Sequence, residues 1–220
     1  MYTILFFGWP IFCIIFGVIL LLAFMMHLQS NQFYTLDVVK RKFSRIELEL
    51  PSTPAQIVII IKGLYQLPAQ DAATTIRALK AHLKIDFIVM PLVYGAIGLL
   101  CWRVANKAAI PLVVNFFMAI TYLQVLAWLC DVIENIYLLN KIKPSVTASS
   151  AAVHKAYVIM EWVKWGIVLI GTTSAIATIC YFWLTGNYQS QTLIYVLIVL
   201  VEIIIFILAT QFSNKKIKTA

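Results

Sequence analysis

Five long apolar stretches limit what this chain of 220 residues can fold into. A helix needs about 20 apolar residues to cross a bilayer, and lipid offers no hydrogen-bond partners to irregular backbone. With 62% hydrophobic and 12% charged residues, the chain also has the composition of a membrane protein. The sequence therefore predicts an all-α, polytopic membrane bundle that forms a single domain over residues 1–220. The predicted spans cover about residues 4–26, 85–104, 110–139, 157–184 and 193–212.

The positions of Lys and Arg predict the orientation of these spans. Eight basic residues lie in the segment 27–84, whereas only Arg103 and Lys107 lie between the second and third spans. The loop after the third span and the C-terminal tail are also basic. Because cytoplasmic loops keep positive charge, we expect the N-terminus outside and the C-terminus inside, in a bacterial inner membrane. Contact with anionic lipid explains the net charge of +8, and no motif indicates a nucleic-acid partner.

The cytosolic segment 27–84 is amphipathic and is predicted to contain three short elements. Apolar and polar residues alternate from Phe43 to Leu50, which predicts a strand. Pro54 suits a first helical turn, and the apolar helix that follows is expected to end near Gly63. A second helix is predicted to begin near Asp71 and to continue into the second span.

A basic stripe on this second helix is predicted to face lipid. Its members are Arg77, Lys80 and Lys84. Residues at three- and four-residue spacing share one helical face, so the stripe suits anionic headgroups. The alternative is a docking face for a partner or a phosphate-bearing lipid. A membrane protein and a second copy of the chain are the possible protein partners.

Polar residues are predicted to share one depth on the cytosolic side of the bundle. Asp86 begins the second span, Asp131, Glu134 and Asn135 lie near the end of the third, and Glu161 and Lys164 lie about one turn into the fourth. Ionisable groups are costly in lipid, so such a group is a functional-site hypothesis by default. One interpretation is that they converge to bind a cation, a metal or a lipid headgroup. The other is that they form ion pairs, Glu161 with Lys164 and the third-span acids with basic residues of the cytosolic segment.

A metal site is the most concrete form of the binding interpretation. His82 and Asp86 lie four residues apart on one face, and Glu134 would complete a set of three ligands with an open position. A divalent metal such as zinc is therefore a possible cofactor.

Glu202 differs from these groups because it lies near the middle of the fifth span. Thr172, Thr173 and Ser174 lie at a similar depth in the fourth span, and we expect their hydroxyls to hydrogen-bond a neutral Glu202. The residue is also a possible proton site.

Short motifs in the chain resemble those of a group of small bacterial integral membrane proteins of uncharacterised function. The run from Leu83 to Tyr94 reads L-x-x-D-F-x-x-x-x-x-x-Y, and the run from Asp131 to Asn135 reads D-x-x-E-N. The resemblance covers about residues 44–140 and implies that Asp86, Tyr94 and Glu134, with Asp131 and Asn135, belong to a family pattern. It implies no activity.

Three functional hypotheses follow from these observations. The leading one is an integral membrane protein whose cytosolic-leaflet polar groups bind an ion, a lipid headgroup or a partner subunit. The second is a metal-dependent membrane enzyme that acts on lipid. The third is a proton-coupled channel or transporter subunit, in which Glu202→Gln would abolish flux.

Overall fold

The computed structural model describes residues 8–218, and side chains as far as residue 214. In this part of the chain, five helices are long and apolar enough to cross a membrane, which confirms the predicted all-α membrane bundle. They are α1 (Trp9–Ser30), α4 (Ala69–Lys107), α5 (Pro111–Lys141), α6 (Ala151–Leu184) and α7 (Leu193–Lys218). The predicted start of the first span at Ile4 lies outside the described residues, as do the side chains of Lys215, Lys216 and Lys218. The orientation and the single membrane domain stay predictions.

Small elements lie between α1 and α4. They are β1 (Tyr34–Leu36), β2 (Lys40–Lys42), α2 (Ile46–Glu49) and α3 (Gln56–Gln66). The strands pair antiparallel with Thr35 opposite Arg41. A three-residue 3₁₀ turn, Ser190–Thr192, precedes α7.

The strand predicted from Phe43 to Leu50 is wrong, because this run contains α2 instead. The backbone N–H of Ser44 donates to Glu47 Oε1 at 2.8 Å, which is one half of a capping box. Leu48 and Glu49 are buried while Ile46 is exposed, so the alternation does not correspond to two faces of a strand. The local Ser-x-x-Glu pattern explains why a helical turn forms here.

The helix predicted to begin near Asp71 is confirmed, and it continues without a break through the second span. At 39 residues, α4 is about 58 Å long, well beyond the roughly 30 Å hydrocarbon core. The helix after Pro54 also forms, but α3 continues past Gly63 to Gln66.

The chain divides into two compact units. One contains Met25–Ile88 and Leu129–Lys164, and we call it the polar unit. The other contains residues 8–24, Val89–Trp128 and residues 165–218, and we call it the apolar unit. Helices α1, α4, α5 and α6 each contribute residues to both units.

The polar unit has an apolar core that fixes the short elements against α4 and α5. Phe33 and Phe43 stack with ring centroids 5.3 Å apart, and both lie in the same buried cluster as Leu48, Leu79 and Leu138. This packing holds the segment from Phe33 to the end of α2 against α4 and α5. The core therefore sets where the polar residues of α2 lie.

The apolar unit has a core of its own. Its buried residues include Ile97, Val104, Phe117, Ala175 and Ile179, contributed by α4, α5 and α6. As far as residue 214, the side chains of α7 are mostly exposed, as expected for a helix that faces lipid.

Candidate cation site in the polar unit

Five buried carboxyl groups lie in the polar unit, and we call them the carboxylate cluster. None of their residues is more than 5% exposed. They are Glu49 of α2, Asp86 of α4, Asp131 and Glu134 of α5, and Glu161 of α6. Four elements thus bring acidic side chains into one unit, although ionised carboxylates are costly to bury.

Lys164 supplies one of the two basic groups that form ion pairs with the cluster in the described part of the chain. Its Nζ lies 2.9 Å from Asp131 Oδ1 and 2.6 Å from Glu161 Oε2, and it also contacts Glu134 Oε2. The lysine is 3% exposed, so these ion pairs are shielded from water. The predicted pairing of Glu161 with Lys164 is present, with two more carboxylates around the same ammonium group.

Arg45, immediately before α2, supplies the second basic group. Its Nη2 lies 2.5 Å from Asp86 Oδ2 and 3.3 Å from Glu134 Oε1, and its Nε contacts Glu49. Burial alone lowers the pKa of Arg45, but the hydrogen bond to Asp86 and the charges of Asp86, Glu49 and Glu134 raise this pKa well above its ordinary value. The guanidinium therefore stays charged and joins α2 to α4 and α5.

Asn135 and Tyr157 position parts of the cluster. The Asn135 amide donates to Asp86 Oδ2 at 2.7 Å, the same oxygen that Arg45 contacts. The Tyr157 hydroxyl donates to the Leu48 carbonyl at 3.2 Å, which connects α6 to α2 beside Glu49. Both bonds link elements that carry cluster residues.

Acidic groups outnumber basic groups in and around the cluster. Arg45 and Lys164 face five carboxyl groups, so the described ion pairs leave an excess of three acidic groups. In addition, Asp86 Oδ1 and Glu161 Oε1 are buried and accept no hydrogen bond from a described residue. Buried polar atoms are normally satisfied, so these two oxygens call for a further partner.

Three members of the cluster have the geometry of a metal-ligand set. One oxygen each from Glu49, Glu134 and Glu161 lies within 4.8 Å of the other two. These carboxylates come from α2, α5 and α6, so the set depends on the packing of three elements. Among the described residues, this is the group of three His, Cys, Asp or Glu side chains that could offer ligand atoms to one metal ion.

His82, which the sequence hypothesis used as a ligand, is not in this set. The ring is buried, and its Nδ1 lies 3.1 Å from the Met26 carbonyl oxygen. The ring also makes an edge-on contact with the Phe33 ring, with centroids 5.3 Å apart. The zinc site built on His82, Asp86 and Glu134 stays a prediction.

The structure places Tyr94 and Glu202 in the apolar unit. Tyr94 is buried in a small apolar cluster with Ala127 and Ile167. The predicted hydrogen bonds to Glu202 are not formed by the hydroxyls of Thr173 and Ser174. These hydroxyls donate to the Leu169 and Ile170 carbonyls of their own helix.

Glu202 lies instead against Gly17 of α1. A Cβ atom added to this glycine would be 2.9 Å from Glu202 Oε1, so the glycine makes room for the carboxyl group. Glu202 Oε2 is buried without a hydrogen-bond partner among the described residues. The proton-site hypothesis for Glu202 stays a prediction.

The basic stripe is exposed on α4. Arg77, Lys80 and Lys84 are all exposed, whereas Leu79 and Leu83, between them, are buried. The stripe is thus opposite the face that packs in the polar unit, as an interaction with headgroups requires. That interaction itself stays a prediction.

Sequence reasoning did not identify Arg45 and Glu49 as site residues. The excess of acidic residues in the spans indicated a basic partner in the cytosolic segment, but eight candidates were available there. The capping pattern at Ser44 and Glu47 would have placed Arg45 and Glu49 one helical turn apart, on the same face.

No protein-family model, curated protein or solved structure matches the chain.

Proposed function

We propose that this integral membrane protein binds a divalent cation in the carboxylate cluster, with Glu49, Glu134 and Glu161 as ligands. The observation that carries the proposal is the convergence of these three buried carboxylates, each with an oxygen within 4.8 Å of the others. A bound cation would act as a counter-ion for the acidic groups, which outnumber Arg45 and Lys164. It would also give Glu161 Oε1 the partner that no described residue provides.

The ligand chemistry favours a hard cation. The three ligands are all carboxylate oxygens, which suit Mg²⁺, Ca²⁺ or Mn²⁺, whereas zinc sites usually include histidine or cysteine. The flexible coordination of Ca²⁺ tolerates irregular arrangements of oxygens better than the strict octahedron of Mg²⁺. We therefore expect Ca²⁺ or Mn²⁺ to bind more tightly than Zn²⁺.

Lys164 would limit the affinity of this site. Its ammonium group contacts Glu134 and Glu161, two of the three ligands, so a cation binds against its positive charge. The same contacts hold the carboxylates close together before a cation binds. The expected role of the cation is to stabilise the packing of α2 against α5 and α6.

Thermal unfolding of the purified protein in detergent, with and without added cations, tests the proposal. A ligand that binds the folded state alone stabilises it by about 2.7 kcal/mol at 100 times its dissociation constant. We expect a concentration-dependent rise in Tm with Ca²⁺ or Mn²⁺ for the wild type. The rise is expected to be lost in Glu161→Gln, which keeps the size of the side chain.

Glu47→Gln is the matched control, because Glu47 belongs to α2 but pairs with Arg41 away from the cluster. This variant should keep the cation-dependent rise in Tm. The proposal is wrong if no divalent cation raises the Tm of the wild type. It is also wrong if Glu161→Gln responds as strongly as the wild type does.

A further inference from the structure

The polar unit contains a cavity of about 400 Å³ between α6 and the segment that follows α2. Its size is within the range of small-molecule sites. Residues 50–52 line one side of it, and five residues of α6 line the other. These five are His154, Lys155, Val158, Ile159 and Trp162.

Hydrogen bonds hold both sides of this cavity in place. The Tyr157 hydroxyl of α6 donates to the Leu48 carbonyl at 3.2 Å, just before the lining segment begins. At the end of that segment, the backbone N–H and the hydroxyl of Ser52 both donate to Gln56 Oε1, at 2.6 and 2.9 Å. Pro51, between these contacts, is buried. The cavity is therefore formed by segments whose positions the fold fixes.

The lining changes from basic to apolar along α6. His154, Val158 and Trp162 are four residues apart, as are Lys155 and Ile159, so the five residues form one continuous face. This face extends for about 12 Å along the helix. Because the fourth span is predicted to begin near residue 157, we expect the basic end at headgroup level and the apolar end in the outer hydrocarbon region. A tryptophan at this depth is typical of a membrane interface.

The basic end of the cavity suits an anion. Lys155 is exposed and forms no ion pair with another residue in the described part of the chain. The His154 ring has at least one N–H donor whether it is neutral or charged, and the Trp162 indole N–H is a further donor. The Ser52 hydroxyl is already bonded to Gln56. The described lining includes no acidic residue that would repel an anion.

We propose that this cavity binds an anionic phospholipid, with the phosphate at Lys155 and His154 and the start of an acyl chain along Ile159 and Trp162. A phosphate ester without acyl chains would leave the apolar end of the face uncovered. In phosphatidylcholine, the positive choline group offsets the phosphate charge that attracts Lys155. The site differs from the exposed basic stripe of α4, and it does not depend on the cation proposal.

Bromine quenches tryptophan fluorescence on contact, and Trp162 lines the cavity, so a brominated acyl chain reports lipid at this site. We would place the full-length protein in phosphatidylcholine nanodiscs that contain a small fraction of brominated lipid. The probe is phosphatidylglycerol or phosphatidylcholine with bromine near the headgroup end of one chain. Subtracting the signal of Trp162→Phe isolates the contribution of Trp162.

We expect half-maximal quenching of Trp162 at about fivefold less brominated phosphatidylglycerol than brominated phosphatidylcholine. A basic residue near the membrane surface contributes about this factor to the binding of anionic lipid. Glycerol phosphate in solution, which has the phosphate ester without the chains, should not reverse the quenching.

Two lysine variants with the same change of charge locate the effect. Lys155→Gln is expected to remove the preference for phosphatidylglycerol. Lys143→Gln removes a charge from an exposed position of the same unit, outside the cavity, and should keep the preference. Changing Arg77, Lys80 and Lys84 of the basic stripe to glutamine should also keep it.

Three results would overturn the proposal. Equal quenching by the two brominated lipids in the wild type would mean that lipid contacts Trp162 without selection for charge. Equal loss of the preference in Lys155→Gln and Lys143→Gln would indicate a diffuse attraction to the whole surface. Reversal of the quenching by glycerol phosphate would indicate a site for a soluble phosphate ester. The first and third results need no lysine variant.

Discussion

Replacing Arg45 by methionine removes the basic group that joins α2 to α4 and α5. Asp86 and Glu134 are fully buried, and in the variant their charges would lose a guanidinium 2.5 and 3.3 Å away. Removing one partner of a buried ion pair costs about 3–5 kcal/mol, because the remaining charge is left buried without compensation. We expect Arg45→Met to lower the free energy of unfolding by that amount.

The assay is denaturant titration in mild detergent, followed by circular dichroism, with Arg41→Met as the control. Arg41 pairs with Glu47 at 2.9 Å, but these side chains are 36% and 30% exposed, so the control should cost about 0–1 kcal/mol. The double variant Arg45→Met with Asp86→Asn should cost less than the sum of the single changes, by about 0.5–3 kcal/mol. The reasoning is refuted if Arg45→Met costs no more than Arg41→Met.

Three further predictions concern other parts of the chain. Gly63→Ala would place a methyl group against β1 and should lower the free energy of unfolding by about 1–3 kcal/mol in the same assay. Gly166→Ala is the control, because its methyl group would have no neighbour within 4 Å, and it should leave the free energy of unfolding unchanged or raise it. Lys164→Met should lower the Tm of the protein. Because this change removes a positive charge beside the ligands, we expect added Ca²⁺ to raise the Tm of the variant by more degrees than it raises the Tm of the wild type. An equal rise in the two proteins would contradict this prediction. Neutralising the basic stripe should reduce the amount of phosphatidylglycerol that stays bound in native mass spectrometry, because each basic residue contributes about 1 kcal/mol to the binding of anionic lipid. The amount of bound phosphatidylcholine should not change. That triple variant changes Arg77, Lys80 and Lys84 to glutamine.

The parts of the fold that depend on local sequence could be predicted. Span length and hydrophobicity are properties of continuous stretches, so the five long helices follow from the sequence. The spacing of Asp131, Glu134 and Asn135 places them on one side of α5, where all three are buried. Glu161 and Lys164, three residues apart, pair as helical geometry requires.

The remainder depends on contacts between distant parts of the chain. Arg45 meets Asp86 across 41 positions and Glu134 across 89, and no local pattern specifies either contact. The run from Phe43 to Leu50 is short enough for its alternation to fit a strand or a helical turn. There the capping interaction of Ser44 with Glu47 decides in favour of α2. Because α2 carries Glu49, the ligand set could not be predicted without this element.

The count of bound cations per chain tests the central claim most directly. Wild-type protein and Glu161→Gln would be equilibrated with Ca²⁺ or Mn²⁺ in detergent, dialysed against metal-free buffer, and measured by inductively coupled plasma mass spectrometry. A cation held by Glu49, Glu134 and Glu161 predicts about one ion per wild-type chain and far less in the variant. Equal metal content in the two proteins, or none in the wild type, would contradict the proposed cation site.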